Sequence, residues 1–397
     1  MPAKSEGQPG KTILCGRLID GTGRAPVDGA VVRLDAAGRI TAVLTGAREV
    51  AAASASTGEV IDWSSYTVIP GLVDAHNHLG MNSGGDMLAM ATEPDVRKVI
   101  RAAANARVDL ESGITTLRVC GEKAQVDLEW RAAAADGLFF APRLVVSGEF
   151  ICPTSGHAAF YGANCDGPEE VRRGVRRQIA AGADFIKVMV SGGAQEAPPG
   201  PMDPEYTPDE LRAAIDEAHR GHRRVAGHCF GGPGADVAIE AGIDSIEHGT
   251  HLTGEQLARM AAKGIGLVVT AGVFMVEAEL PSPTPAERAL TVGFRDRYPE
   301  VIAQAKRAGV PLAVGGDFLH GRLDLEVEML VKGGLTPMEA LLAATSSGAA
   351  ALGLSKEIGS IVPGKQGDLV ALGGDPLASW AALRDVRGVI QRGVPRA

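Results

Sequence analysis

The hydrophobic pattern of the chain changes rhythm twice. From Lys11 to about Ile69, short apolar runs alternate with turn residues. Ile13–Ile19 ends in Asp20-Gly21-Thr22-Gly23, and Ala30–Leu34 and Ile40–Leu44 flank Asp35-Ala36-Ala37-Gly38. Apolar runs of about 4–6 residues bounded by Gly and Asp predict β-hairpins. The other end repeats the pattern, with Asp368–Leu372, the turn Gly373-Gly374-Asp375-Pro376, and Val386–Gln391 before Gly393. Two β segments far apart in sequence predict one small β-sandwich composed of residues 11–69 plus 355–397.

Between them, residues 70–354 alternate apolar strands with Ala-rich amphipathic helices, the pattern of βα units around a parallel sheet. Eight strands are expected, at Leu72–Ala75, Thr116–Val119, Leu144–Ser147, Phe185–Val190, Arg224–Gly227, Ser245–Glu247, Gly266–Thr270 and Leu312–Gly315. Helices are expected at Glu93–Glu111, Pro168–Ala181, Thr207–Arg220, Thr253–Lys263 and Glu300–Ala308. Thr207 with Glu210, and Thr253 with Gln256, read as capping boxes that start their helices. Eight units over about 280 residues predict an α/β fold of the closed (β/α)8, TIM-like barrel type. One more helix, Pro337–Ala351, leads back to the β-type tail.

Composition narrows the function class. The 52 glycines among 397 residues are spread rather than periodic, which fits many tight turns. A net charge of −9 without runs of like charge, and only 9 Phe, 3 Trp and 4 Tyr, argue against nucleic acid or an anionic membrane as partner. No stretch of about 18 residues is both apolar and uncharged, so no membrane span is expected. Met1–Gly10 is polar and lacks an apolar signal core, so a cytoplasmic protein is expected. Five cysteines, an odd count with no Cys-x-x-Cys pair, argue against a disulfide framework or a thiolate zinc site. The oligomeric state stays open, with a homo-oligomer among the options.

Candidate chemistry falls at the ends of the expected strands. His76-Asn77-His78 follows the first, and in an extended chain residues i and i+2 point the same way, so both imidazoles can face one ion. A lone His-x-His pair is weak, but other positions strengthen it. Lys187 is a charge inside the apolar run Phe185–Val190, His228 follows the fifth strand, His248 the sixth, and Asp317 the eighth. Barrel enzymes gather their reactive groups at the C-terminal ends of the strands. Each residue has a blander alternative, such as a turn Asp or a satisfied His. Lys187 is harder to dismiss, because an unpaired ammonium inside a barrel is costly. It either loses its proton or, by reaction with carbon dioxide, becomes a carbamate anion able to bridge two cations. Six such residues at matched barrel positions point to a metal centre.

The sequence resembles the amidohydrolase superfamily, in the branch of imidazolonepropionase-like enzymes and metal-dependent Xaa-Pro and Xaa-Arg/Lys dipeptidases. The motifs that carry the likeness are Pro70–His78, Gly182–Lys187, Ser245–Gly249 and Val362–Val370. Together they are specific for superfamily and branch, and far less so for substrate. The resemblance extends from Asp20 to Pro376 and implies a barrel with a small β-sandwich and a binuclear site. In that site His76, His78 and Asp317 hold the more buried ion, and His228 and His248 hold the other. An N-carboxylated Lys187 and a hydroxide bridge them. Two divalent ions are implied, zinc being the first expectation, although manganese and cobalt suit the same ligands.

The resemblance further implies amide hydrolysis. The bridging hydroxide attacks the scissile carbonyl, and Asp317 takes the proton and passes it to the leaving amine. His157, after the third strand, resembles the family position that stabilises the oxyanion. The expected substrate is a small molecule, dipeptide-like or an N-acyl amino acid with an apolar group. The alternative is a cyclic amide, lactone, carbamate or phosphotriester. A non-catalytic scaffold on this fold is disfavoured by the intact ligand set. One departure stands out: dipeptidase-like relatives often carry a Tyr two positions after the fifth-strand His, whereas Phe230 cannot donate a hydrogen bond. Tyr161, Phe230, His251, Phe274 and His320 are the candidates for substrate contact. His219 and His222, at a charged helix end, read as a solvated face.

Overall fold

A computed structural model of the chain describes residues 10–46, 58–84, 87–138, 140–194, 200–281 and 284–396. The polar N-terminal stretch expected to lack a signal core lies outside them, except for Gly10. At the N-terminal end β1 (Lys11–Leu18), β2 (Val27–Leu34) and β3 (Ile40–Leu44) form an antiparallel meander, and β4 (Glu59–Pro70) runs parallel to β1. Period-2 alternation turns Ile13 and Cys15 of β1 inward to one cluster.

The chain then enters the parallel strands β5 (Leu72–Asn77), β6 (Ile114–Val119) and β7 (Arg143–Val146). Two short strands follow, β8 (Ile151–Cys152) and β9 (Ala163–Asn164). Parallel pairing resumes in β10 (Ile186–Met189), β11 (Val225–Gly231), β12 (Ser245–His251), β13 (Gly266–Val269) and β14 (Leu312–Val314). All eight expected strands are therefore present. The extra pair β8 and β9 was invisible in the sequence because a two-residue strand leaves no periodicity.

Hydrogen bonds in the two seams complete a TIM-barrel-like α/β fold. The Asp184 N–H donates to the Val146 carbonyl at 2.8 Å, and the Asp317 N–H donates to the His76 carbonyl at 2.7 Å. Every residue of β5, β6 and β10 is buried, as expected for parallel strands covered by helices. The C-terminal strands β15 (Leu369–Leu372), β16 (Val386–Gln391) and β17 (Val394–Pro395) return to the first sheet. Its order is β17-β16-β15-β4-β1-β2-β3, so both ends of the chain share one seven-stranded sheet. Ile13, Trp63, Val68, Leu369 and Ile390 give it an apolar cluster of its own.

Both expected capping boxes form, at Thr207 and Thr253, and Thr336 adds a third. Two helices differ from expectation. The one expected from Glu300 begins at Pro285 and passes through Pro299. Burial of Phe294 and Tyr298 and the Thr284 cap hold its first half, despite the hydrogen bond that proline removes. The helix expected over Pro337–Ala351 is split into Pro337–Ala343 and Ser346–Ala351. All five cysteines are free and buried. Among the described residues no helix is long and apolar enough to cross a membrane.

Candidate active site

Five parts of the barrel deliver the candidate residues to one end. His76 lies in β5 and His78 directly after it, Lys187 in β10, His228 in β11, His248 in β12, and Asp317 three residues beyond β14. His228 and His248 lie inside their strands rather than after them, because pairing of β11 with β12 continues to Gly231 and His251. His76, His78 and Asp317 offer ligand atoms that all lie within 4.8 Å of one another. Asp317 Oδ1 is 3.7 Å from His76 Nε2 and 3.8 Å from His78 Nε2, and its Oδ2 is 3.9 Å from His248 Nδ1. His228 Nδ1 stands 2.9 Å from His248 Nε2.

Backbone geometry supports this convergence. His248 and Asp317 both adopt left-handed conformations, with φ of 71° and 56°. Such strain in non-glycine residues costs on the order of 1–3 kcal/mol and gathers at functional sites. Gly315 precedes Asp317 where any side chain would collide, since a Cβ there would meet His76 Cβ at 2.4 Å. The closeness of β14 to β5, and so of Asp317 to His76, depends on that missing side chain.

Electrostatics set the protonation of the site. Burial lowers the pKa of His76, His228 and His248 well below that of free histidine and that of His78 to about 3, with the Lys187 charge contributing to each. Neutral imidazoles are the form that binds metal ions. Burial pushes Asp317 up to about 8, against the pull of Lys187. Lys187 is itself 1% exposed, and among the described residues its Nζ has no hydrogen-bond partner. A buried ammonium with no partner is a costly arrangement.

The site is supported from behind by residues that the sequence reading passed over. Glu247 Oε2 lies 2.8 Å from His76 Nδ1. Arg118 Nη2 donates to both oxygens of Glu247, at 2.7 and 2.8 Å, and Ser245 Oγ donates to Oε1 at 2.6 Å. Thr270 Oγ1 is 2.7 Å from His248 Nδ1. Cys120 also lies within ligand distance of His76 and Glu247. Its thiol is pushed up to about 11, chiefly by burial, and Glu247 is committed to Arg118, so that group is a support rather than a free donor set.

A small cavity of about 80 Å³ opens over these residues. His157, Tyr161, Phe230 and Phe274 line it, as do Met81, Phe318 and Glu277. The His157 ring stacks on His228 with centroids 4.4 Å apart. Tyr161 donates its hydroxyl to the buried Glu122. Phe230 lies flat on Phe294 at 4.4 Å and against His248 at 5.1 Å, so much of its ring belongs to an aromatic core. His251 and His320 are not among the lining residues. His251 packs edge-on against Phe294, and His320 has both ring nitrogens engaged, with Asp109 and the Met81 carbonyl at 2.9 Å. His219 is largely exposed beside Asp244, and His222 is exposed. The larger cavity of about 620 Å³ lies at the opposite end of the strands; His222 and Arg118 line it, and none of the candidate metal ligands does.

A barrel with this constellation at the strand ends matches known proteins. The amidohydrolase family model matches residues 67–395. Ochratoxinase of Aspergillus niger is 31% identical over 357 residues, covering 81% of this chain and 73% of that protein. Imidazolonepropionase of Salinispora arenicola is 28% identical over 366 residues, covering 85% of this chain and 86% of its own. The crystal structure of a Xaa-Pro dipeptidase with bound methionine in the active site superposes with a TM-score of 0.87 at 29% identity, covering 98% of this chain and 99% of that one. The chain belongs to the amidohydrolase family, and it is a hydrolase acting on C–N bonds.

Proposed function

We propose that the chain is a binuclear metal-dependent hydrolase that cleaves an amide bond in a dipeptide-like or N-acyl amino acid substrate. The observation that carries this reading is the unpartnered Nζ of Lys187 among four imidazoles and one carboxylate. This donor set fits divalent cations, zinc first, since neutral histidine and carboxylate are its preferred ligands. His76, His78 and Asp317 would hold one ion, and His228 and His248 the other, with Lys187 as the carbamate shared by both. Bound there, the ions supply a lowered pKa for water and polarisation of the scissile carbonyl.

The chain's own groups do the rest. Asp317 accepts the proton at a carboxylate oxygen and delivers it to the leaving amine. His157, held against His228, donates a hydrogen bond to the carbonyl oxygen as charge develops there. Met81, Phe274 and Phe318 give the cavity an apolar wall that suits an apolar substrate group and excludes water. The ochratoxinase and Xaa-Pro dipeptidase likenesses support amide substrates. We also read the seven-stranded sheet as the sandwich built from residues 11–69 and 355–397, beside a barrel domain of 70–354, on the strength of its separate apolar cluster.

Metal analysis combined with a hydrolysis screen tests the proposal. Two divalent ions per chain, and turnover of N-acyl amino acids or dipeptides in preference to cyclic amides, lactones and phosphotriesters, are expected. A metal-free purified protein that gains no activity on reconstitution sinks the reading.

A further inference from the structure

The larger cavity, at the N-terminal ends of the barrel strands, is rimmed by Arg118, Arg131, Arg143, Arg224, Arg392 and Arg396. In a chain with a net charge of −9, six guanidiniums around one space need an explanation. Three have an acidic partner. Arg118 is committed to Glu247, Arg131 pairs with Asp184 at 2.7 Å, and Arg143 lies 3.6 Å from the buried Asp368. Asp184 is the one carboxylate among the lining residues.

Among the described residues, Arg224 and Arg396 have no carboxylate partner, and Arg396 packs over the Phe140 ring at 5.5 Å. Arg392 feels the charge of the buried Asp368, and its backbone N–H donates to Asp368 Oδ1 at 2.6 Å. The buried Arg143 Nε has no hydrogen-bond acceptor among the described residues. Desolvation, and then the neighbouring Arg143 charge, lower the Arg392 pKa, with Asp368 opposing them. Crowded guanidiniums with unused donors are the chemistry that grips a compact multivalent anion through paired hydrogen bonds. The cavity has room for a small organic molecule, at about 620 Å³.

The geometry points to a second ligand site, separate from the hydrolytic centre, that binds a compact dianion (a phosphoryl group or a dicarboxylate) on Arg143, Arg224, Arg392 and Arg396. The site lies at the face of the barrel away from the candidate active site, so a ligand bound there does not meet the reacting groups.

Calorimetric titration of the holoenzyme with inorganic phosphate, and in a parallel arm with malonate, at fixed ionic strength tests this. Anion binding at the metal centre is common to wild type and variants, so their difference reports the arginine cavity. R392Q/R396Q is expected to weaken binding on the order of tenfold or more, and R392K/R396K to retain part of it. The exposed R224Q, which disturbs no buried group, should weaken it in the same direction. The better ligand of the two arms assigns the class as phosphoryl or carboxylate. Superimposable isotherms for wild type and the glutamine variants, or equal heats from chloride at the same ionic strength, overturn the proposal.

Discussion

His76 and Glu247 meet at 2.8 Å, and Arg118 holds the far side of that carboxylate with two hydrogen bonds. Glu247 therefore fixes which His76 nitrogen carries the proton and leaves Nε2 facing Asp317. Glu247→Gln should weaken metal affinity about 10–100-fold. It should also destabilise the fold by about 3 kcal/mol, because Arg118 loses its counter-charge. The double variant R118M/E247L separates the two effects. Its thermal midpoint should recover while its metal affinity, read by titration with a chelator, stays low.

Lys187 gives a prediction of opposite sign for stability and activity. Lys187→Met removes a buried, unpartnered ammonium, so the metal-free variant should unfold at the same temperature as wild type or higher. Its turnover should fall on the order of 10³-fold. Reconstitution of the metal-free wild type should be faster with bicarbonate present, and the methionine variant should show no such dependence. Equal reconstitution of wild type with and without bicarbonate would count against a carbamate.

Asp317→Asn keeps an oxygen ligand but cannot carry the proton. It should retain metal, measured by elemental analysis, and lose about 10²–10⁴-fold in kcat. A fully active asparagine variant removes Asp317 from the proton-transfer role.

Phe230 is fully buried and stacked on both Phe294 and His248. Phe230→Ala should cost about 3 kcal/mol in denaturant unfolding, as expected for an emptied aromatic site. If the ring also contacts substrate, KM should rise for substrates with large apolar groups and stay unchanged for small ones.

Glu217 supplies a pH dependence away from the site. Arg176 donates to its carboxylate at 2.8 Å and Arg220 also donates to it, which lowers its pKa to about 2. A carboxylate with a lowered folded pKa stabilises the protein above its unfolded pKa, near 4.5, and loses that contribution as pH falls toward 2. Both arginines are more than half exposed, so about 1 kcal/mol is expected. The stability gap between wild type and Glu217→Gln should be full at pH 7 and close by about pH 2. A gap that persists unchanged at the acid end would refute this origin.

Legibility in the sequence followed local pattern. The eight strands carried apolar runs, and the capping boxes at Thr207 and Thr253 carried their own signature, so both were readable. His76, His78, Lys187, His228, His248 and Asp317 were readable as a set because barrel topology alone places strand ends together. Arg118 and Glu247 gave the same signal as Lys187, a charge inside an apolar strand, but their pairing across β6 and β12 is a three-dimensional fact. His320 was harder still. Its position beyond Asp317 suggests a free loop residue, and only the fold reveals Asp109 and the Met81 carbonyl waiting for its nitrogens.

The barrel seam has a consequence for biosynthesis. Gly316 donates to Asp74 Oδ1 across 242 residues of chain, next to the bond between Asp317 and His76. Contacts of such sequence separation form late, after the loop-closure entropy of everything between has been met. A ribosome-bound chain that has not yet made β14 carries the early histidines without their carboxylate or their seam. The candidate constellation is thus completed only after the eighth barrel strand has joined the first, and a chain that stops short of it has no finished site.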